Sequence, residues 1–472
     1  MYTFSGNQQI FLTIIPFSRP KPIFATNTLQ SVNKDKNKLG LLTSTSLIVG
    51  NMIGAGIFLA PAALSSFGSV SLLGWVISAI GCFFLVKIFG NLSRIVPNVT
   101  GGPYAYTRRG FGDYMGFSIA WGYYIAVACA NAAITVGFVS ALSTFIPVLS
   151  TSTFAAVFTG LSSIWLLTWI NNAGVRVSGG VQLTTTILKL IPLIAVAFGG
   201  LFFIRTDNFP PFNNTSTSLF EVLSNTVTFT MFAFVGIESA TVPADKVANP
   251  QKTIPRATML GLIIVTIVYI LGTVSVMGII PPEQLQRSLT PFADAAEIMW
   301  GPNARFLVSA GVAIAAFGAL NGWILIQGQL PFAIAKDNLF PRIFGKENKK
   351  GVPYVGMFFS SILISIFMIM NYNKGLVDQF KFLVLLSTLS VLIPYLFSTA
   401  SYFILRTTGQ QLTTGEWVQC ILLFVISFSY VFWAIASAGQ KTIFYGFLLQ
   451  MTGIPLYLWM TAKNQSRTDN ML

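Results

Sequence analysis

The chain has 472 residues, of which 54% are hydrophobic and only 9% charged. Soluble domains carry about 25% charged residues, so a water-soluble globular class is excluded and an integral membrane protein is expected. The formal net charge is +14 and there is no histidine, which removes imidazole catalysis and most transition-metal sites.

Residues 1–38 read as a cytoplasmic tail. The stretch IFLTIIPF at 10–17 is apolar, but Met1–Gln9 has no Lys or Arg to form the charged region of a signal peptide. Twelve apolar stretches then follow, at approximately 41–64, 70–92, 114–140, 153–170, 180–204, 223–243, 258–280, 306–335, 354–371, 379–405, 415–437 and 441–462. Each is about long enough to cross about 30 Å of hydrocarbon as a helix. Residues 463–472 form a short second tail. With the N-terminus placed inside, 20 of the 28 Lys and Arg residues fall on the inner side, six outside and two within spans. That bias places both termini in the cytoplasm and makes the basic charge a topology signal, with no nucleic-acid partner implied. The three cysteines, Cys82, Cys129 and Cys420, sit far apart in apolar runs and form no disulfide or metal framework.

Four features along the spans carry possible chemistry. Gly54-Ala55-Gly56 lies in the middle of span 1, where glycine disfavours helix by about 1 kcal/mol relative to alanine. It reads either as an unwound stretch whose free N–H groups hold a carboxylate or as a small-residue packing face. Lys87 lies near the inner end of span 2 and reads as a lysine snorkelling to the interface. Lys189 is the one charge near the middle of span 5. It reads either as a cation filling an ion site, able to carry a proton, or as another snorkelling lysine. Glu238 is the single acidic residue of 14 that falls inside a span, where a carboxylate is costly and functional by default. It reads as a proton acceptor, a partner for a cationic substrate, or a structural acid at a helix break. No nucleophile motif, metal cluster, pore motif or long soluble loop is present, so neither an enzyme nor a receptor nor a channel is expected, and no cofactor.

Five stretches share an order and spacing with a known family: GNMIGAGIFLAPAAL from Gly50, GGPYAYTRRGFG from Gly101, FAFVGIESATVPADKVANPQKTIPRAT from Phe232, NGWILIQGQ from Asn321 and AKDNLFP from Ala335. Over about residues 39–462 the chain resembles the amino acid–polyamine–organocation superfamily, and within it the basic amino acid/polyamine antiporters. The resemblance implies an all-α transporter domain with two inverted five-span repeats, spans 1–5 at 41–204 and spans 6–10 at 223–405. Spans 11 and 12, at 415–462, follow the repeats, and helices 1 and 6 are broken at the substrate. It implies that Ile53, Gly54, Ala55 and Gly56 receive a substrate carboxylate, and that carbonyls near Phe232, Ala233 and Val235 take its amino group. Asn51, Tyr123, Ala126, Asn131, Gly236, Trp323 and Ser387 match other substrate-lining positions. Phe232 and Tyr395 match gates, and Glu238, Lys189 and Tyr104 match positions of proton coupling or pH sensing.

Three positions depart from the pattern. Phe232 stands where an arginine/agmatine-exchanging member carries a tryptophan, and Ala55 replaces a serine. Lys189 replaces an apolar residue and resembles a lysine of proton-coupled members. The expected function is alternating-access exchange of a cationic amino acid for another amino acid or its decarboxylated amine. Proton-coupled symport through Lys189, with neutral amino acids as candidate substrates, is the alternative. The expected partners are that small molecule and the lipid bilayer, the expected location is a bacterial inner membrane, and a homodimer is an assembly the family often adopts.

Overall fold

Hydrocarbon offers backbone groups no partner, so apolar runs of this length close their hydrogen bonds internally as helices. The computed structural model describes residues 38–288, 290–370, 376–409 and 411–469. The expected tail at 1–37 and residues 470–472 lie outside the described residues, as does the Ala55 side chain.

The first half comprises α1 (Leu41–Met52), α2 (Ala55–Ser65), α3 (Ser71–Ile95), α4 (Pro103–Phe111), α5 (Asp113–Ser143), α6 (Val148–Thr151), α7 (Thr153–Asn172) and α8 (Val175–Gly199). The second comprises α9 (Leu219–Ala233), α10 (Pro250–Ile279), α11 (Pro282–Arg287), α12 (Pro291–Trp300), α13 (Pro302–Lys336), α14 (Tyr354–Met370) and α15 (Leu376–Gly409). α16 (Thr414–Ala436), α17 (Gln440–Met451) and α18 (Ile454–Asp469) close the chain. Eight helices, counting α17 and α18 as one crossing, are long and apolar enough to span a membrane. The pair α1–α2 with α9, α14 and α15 supplies the rest of the twelve expected spans. The protein is a multi-pass, all-helical membrane protein. Among the described residues the only β pairing is an isolated bridge between Leu39 and Val247.

Three spans differ from continuous helices, each for a local reason. Span 1 is interrupted at Ile53-Gly54, where α1 ends and α2 begins. Span 6 is helical only to Ala233. Beyond it Gly236 has φ +114°, a left-handed value that glycine tolerates and other residues resist. The chain then turns tightly through i→i+3 bonds, Ser239 to Gly236 (3.0 Å) and Thr241 to Glu238 (2.7 Å). The expected helix to residue 243 is therefore replaced by turns. Span 12 breaks between α17 and α18, which sequence reading missed. The Trp121 ring of α5 packs against Gly453, so that a Cβ there would meet Cδ1 at 2.6 Å, and Trp121 Nε1 donates to Thr452 Oγ1 at 3.0 Å.

α13 is the central post, packed against α5, α8, α12 and α14. Its inward face carries a buried polar network. Asn171 Nδ2 donates to Asn321 Oδ1 (3.0 Å), Asn321 Nδ2 to Gln182 Oε1 (3.1 Å), and Gln182 Nε2 to the Ser46 carbonyl (3.4 Å). This chain of amides ties α7, α13, α8 and α1 together. Buried amides are costly unless paired, so the network fixes the helices in one register.

Candidate functional site

The two interruptions lie against each other. A Cβ on Gly236 would meet the Asn51 carbonyl carbon and the Met52 nitrogen, both at 3.3 Å, so only glycine lets the backbone of the second break approach the first. A helix end leaves carbonyls without intrahelical donors, and at the end of α1 each finds a specific partner. Lys189 Nζ donates to Gly50 (2.7 Å) and Ile53 (2.6 Å), Trp323 Nε1 to Asn51 (3.3 Å), and Tyr269 Oη to Met52 (2.7 Å). The same Tyr269 hydroxyl reaches the Ala233 carbonyl at the end of α9, at 3.1 Å. One side chain thus caps both breaks. Its ring is held between Trp75 (5.0 Å) and Phe234 (5.6 Å). Sequence reading passed over Tyr269, because nothing in the polarity of one tyrosine in span 7 marks it.

Lys189 is 0% exposed, so it does not snorkel. It serves as a fixed donor pair to the carbonyls of the first break. Lys87, by contrast, has its ammonium 4.5 Å from the Phe83 ring centroid.

Glu238 is buried beside the second break. Its Oε1 accepts from Tyr123 Oη at 2.5 Å; its Oε2 accepts from the Gly236 N–H at 3.1 Å and from the Tyr395 hydroxyl. The carboxylate therefore joins α5, α15 and the turn after α9.

A small cavity of about 60 Å³ opens beside both breaks. Its wall includes Asn51, Met52, Gly54, Gly56 and Ile57 from the first break, and Phe232, Ala233 and Val235 from the second. Trp323, Ser387 and Val391 close it, with Val127, Ala130, Ala133 and Ile134 of α5. Small-molecule pockets usually begin at about 300 Å³, so this cavity is smaller than a typical ligand site. The start of α2 presents the positive end of a helix dipole to the cavity, and the end of α9 presents a negative end. Among the described residues no Asp, Glu, Lys or Arg lines it. Its chemistry suits a zwitterion held by backbone at both poles.

Eight of the expected site residues line this cavity, and others do not. Tyr123, Ala126 and Asn131 do not line the cavity, because each helical residue turns the face by 100°. The stripe Val127, Ala130 and Ile134 faces the cavity. Tyr123 lies one turn further along that stripe and reaches Glu238. Asn131 is rotated off it, and its Nδ2 donates to Gln327 Oε1 at 2.6 Å. Ile53 and Gly236 shape the breaks from behind the cavity wall. Tyr395 joins the site only through Glu238. Of the three carbonyls expected to take an amino group, that of Ala233 is engaged by Tyr269, and that of Phe232 accepts from the Val235 N–H at 3.1 Å.

Tyr104 lies elsewhere, in the connection carrying α4. Its hydroxyl donates to Asp337 Oδ2 (2.7 Å), and Arg108 pairs with Asp337 Oδ1 (2.6 Å) at the end of α13. Burial, with the Asp337 carboxylate beside it, pushes the Tyr104 phenol well above its ordinary pKa.

The profile of the family described as amino acid permease matches residues 39–458. The chain belongs to the amino acid permease family. It is 31% identical over 440 residues to an arginine/ornithine antiporter of Pseudomonas aeruginosa, covering 90% of this chain and 91% of that one. It is likewise 31% identical over 440 residues to a cadaverine/lysine antiporter of Escherichia coli, covering 92% and 97%. A putrescine transporter of Haemophilus influenzae is 28% identical over 428 residues, covering 90% and 98%. In this permease the match includes both broken spans and the helices that cap them.

The capping geometry makes a direct prediction. Tyr269→Phe removes one hydroxyl and leaves the Met52 and Ala233 carbonyls without it. Interhelical side-chain bonds in membranes average about 0.6 kcal/mol, with a maximum near 1.7. A loss of about 1–2 kcal/mol is therefore expected, read as a lower unfolding midpoint of the detergent-solubilised protein. An unchanged midpoint would show that the bridge carries no weight.

Proposed function

We propose that this permease exchanges a cationic amino acid for another amino acid or for its decarboxylated amine, by alternating access. The observation that carries the reading is the pair of oppositely signed helix ends facing one cavity. In this reading the substrate carboxylate lies on N–H groups around Ile53, Gly54, Ala55 and Gly56. Its amino group lies on carbonyls at the end of α9, around Phe232, Ala233 and Val235. Phe232 and Trp323 flank the side chain, where aromatic faces favour a cation by about 0.5–2 kcal/mol, and Asn51 and Ser387 supply polar contact. Phe232 closes one side and Tyr395, held by Glu238, the other. Gly236 permits the approach of the two breaks, and Tyr123 fixes Glu238. Asn131, whose Oδ1 has no partner among the described residues, and Ala126 lie on α5 beside the stripe that faces the cavity and belong to the same reading.

The named activities of the relatives support cationic amino acids and diamines as substrates. A diamine lacks the carboxylate, so it would use the α9 end alone. The biased placement of 20 of 28 basic residues supports both termini being cytoplasmic, and the bacterial relatives support a bacterial inner membrane. A homodimer, and inverted repeats at 41–204 and 223–405, belong to the same reading. Proton-coupled symport through Lys189 is less well supported: its two hydrogen bonds go to backbone carbonyls of the first break, and two of the relatives named above are antiporters.

The test is uptake of labelled arginine by proteoliposomes, preloaded with arginine, ornithine or agmatine, or left empty. Exchange predicts uptake only into preloaded vesicles. Proton-driven uptake into empty vesicles would replace exchange by symport. No uptake under any condition would remove cationic amino acids as the substrate class.

A further inference from the structure

A second cavity, of about 510 Å³, lies outside the transport path between α7 and α14. It is a groove walled by Trp165, Trp169, Tyr354, Phe358 and Phe359. Trp169 is 70% exposed and Phe358 51%, so the groove opens outward from the bundle. Outward neighbours on the same helices are apolar as well, among them Phe158 and Leu166. The surroundings of the groove are therefore hydrocarbon at one end. Tryptophan and tyrosine concentrate where such a surface meets the headgroup layer.

The other end is polar and basic. Asn172 lines the groove there. Asn348 Nδ2 donates to the Asn172 carbonyl and to its Oδ1, both at 3.0 Å. Asn348 Oδ1 in turn accepts from the N–H groups of Lys350 (2.8 Å) and Val352 (3.1 Å). The loop is thus clamped against the end of α7. Lys346, Lys349 and Lys350 are carried on this loop, with Arg342 next in sequence to the groove residue Ile343 and Arg176 at the start of α8. Lys350 Cδ comes within 3.9 Å of a Cβ built on Gly174, two residues from Arg176. All five cations are exposed. The acids in this stretch are already engaged: Asp337 pairs with Arg108, and Glu347 with Lys246 at 3.0 Å. Among the described residues, none of the five cations pairs with a carboxylate.

We propose that this groove is a binding site for an anionic glycerophospholipid, with one acyl chain against the aromatic wall and the phosphodiester on the basic mouth. The volume falls within the range of about 300–1,000 Å³ typical of small-molecule sites. An excess of inner-side cations by itself needs no such groove, since orientation depends on charge and not on an ordered loop. Here Asn348 fixes the backbone of the loop that carries three of the cations against Asn172 of the apolar slot. A zwitterionic lipid would fill the slot equally well but would bring its own positive charge to five cations. The headgroup charge, and not the acyl chain, should therefore set the preference. The proposal is independent of the substrate assigned above.

The probe is dioleoyl phosphatidylglycerol, titrated against dioleoyl phosphatidylcholine into the detergent-purified protein and read by native mass spectrometry. At least a tenfold preference for phosphatidylglycerol is expected. The triple variant Lys346→Gln, Lys349→Gln, Lys350→Gln should lose that preference, while its unfolding midpoint without lipid stays that of the wild type. Bromination of the acyl chains should quench tryptophan fluorescence in the wild type and less so in Trp169→Phe. Equal binding of the two lipids, a preference that survives in the triple variant, or quenching unaffected by Trp169→Phe would each overturn the site. Cross-linking between copies through Phe358→Cys would also overturn it, by assigning the groove to a second copy of the chain.

Discussion

Glu238→Ala should reduce exchange by more than about 100-fold and lower stability measurably. The carboxylate accepts from Tyr123, Tyr395 and the Gly236 N–H, and both tyrosines are buried. An ordinary interhelical bond in a membrane averages about 0.6 kcal/mol, and a charged acceptor roughly doubles each. Three such bonds give a loss of about 2–4 kcal/mol. The transport defect should be larger than stability alone explains. Tyr395 on α15 and Tyr123 on α5 would no longer be tied to the turn after α9, so the inner side of the cavity would lose its closure. Glu238→Gln separates the two effects. It keeps the volume and one acceptor oxygen, and a tyrosine hydroxyl can rotate to accept from the new amide. It should therefore regain most of the unfolding midpoint without regaining exchange. Wild-type exchange by a well-folded Glu238→Ala protein would sink the assignment.

Lys189→Met is expected to slow exchange by more than tenfold with a smaller effect on folding. Two terms oppose each other. The Gly50 and Ile53 carbonyls lose their donor, at about 1–3 kcal/mol for each buried group left unpaired. Against this, a buried ammonium that meets only neutral partners carries several kcal/mol of lost hydration, and methionine does not. The terms are similar in size, so the net stability change should stay within about 2 kcal/mol. The geometry of the break has no such compensation. Without the ammonium bridging residues 50 and 53, the start of α2 can wander from the position that faces the cavity. Exchange and thermal unfolding measured on the same preparation would decide. If Lys189→Met exchanges normally, the ammonium does not hold the break; if it fails to fold, the balance of terms above is wrong.

The membrane class and the twelve spans were legible because they depend on composition and run length alone. The first break was legible for a related reason, since Gly54 and Gly56 stand in an apolar run with no turn chemistry to explain them. Glu238 stood out because a single acid inside a span has no bland surroundings to hide in. Other features needed the fold. Asn131 and Ala126 were matched by position on span 3, and in this arrangement the phase of α5 turns Val127, Ala130 and Ile134 to the cavity. The break in span 12 was missed although Gly453 and Pro455 signal it in the sequence; the packing of Trp121 from another helix against Gly453 is what only the fold shows.

Tyr269 marks the boundary between the two kinds of information. By itself the sequence marked Gly54-Ala55-Gly56 and Glu238 as unusual inside spans, and the family resemblance implied that helices 1 and 6 break there. It could not determine what would satisfy the carbonyls so exposed. Their partners are Tyr269, Lys189 and Trp323, which come from three different spans at sequence separations of 36 to 272 residues. Local propensity acts over one or two turns, whereas a hydrogen bond across the bundle exists only once the helices have packed. Only the tertiary structure therefore decided which polar side chains face the two breaks and which face lipid.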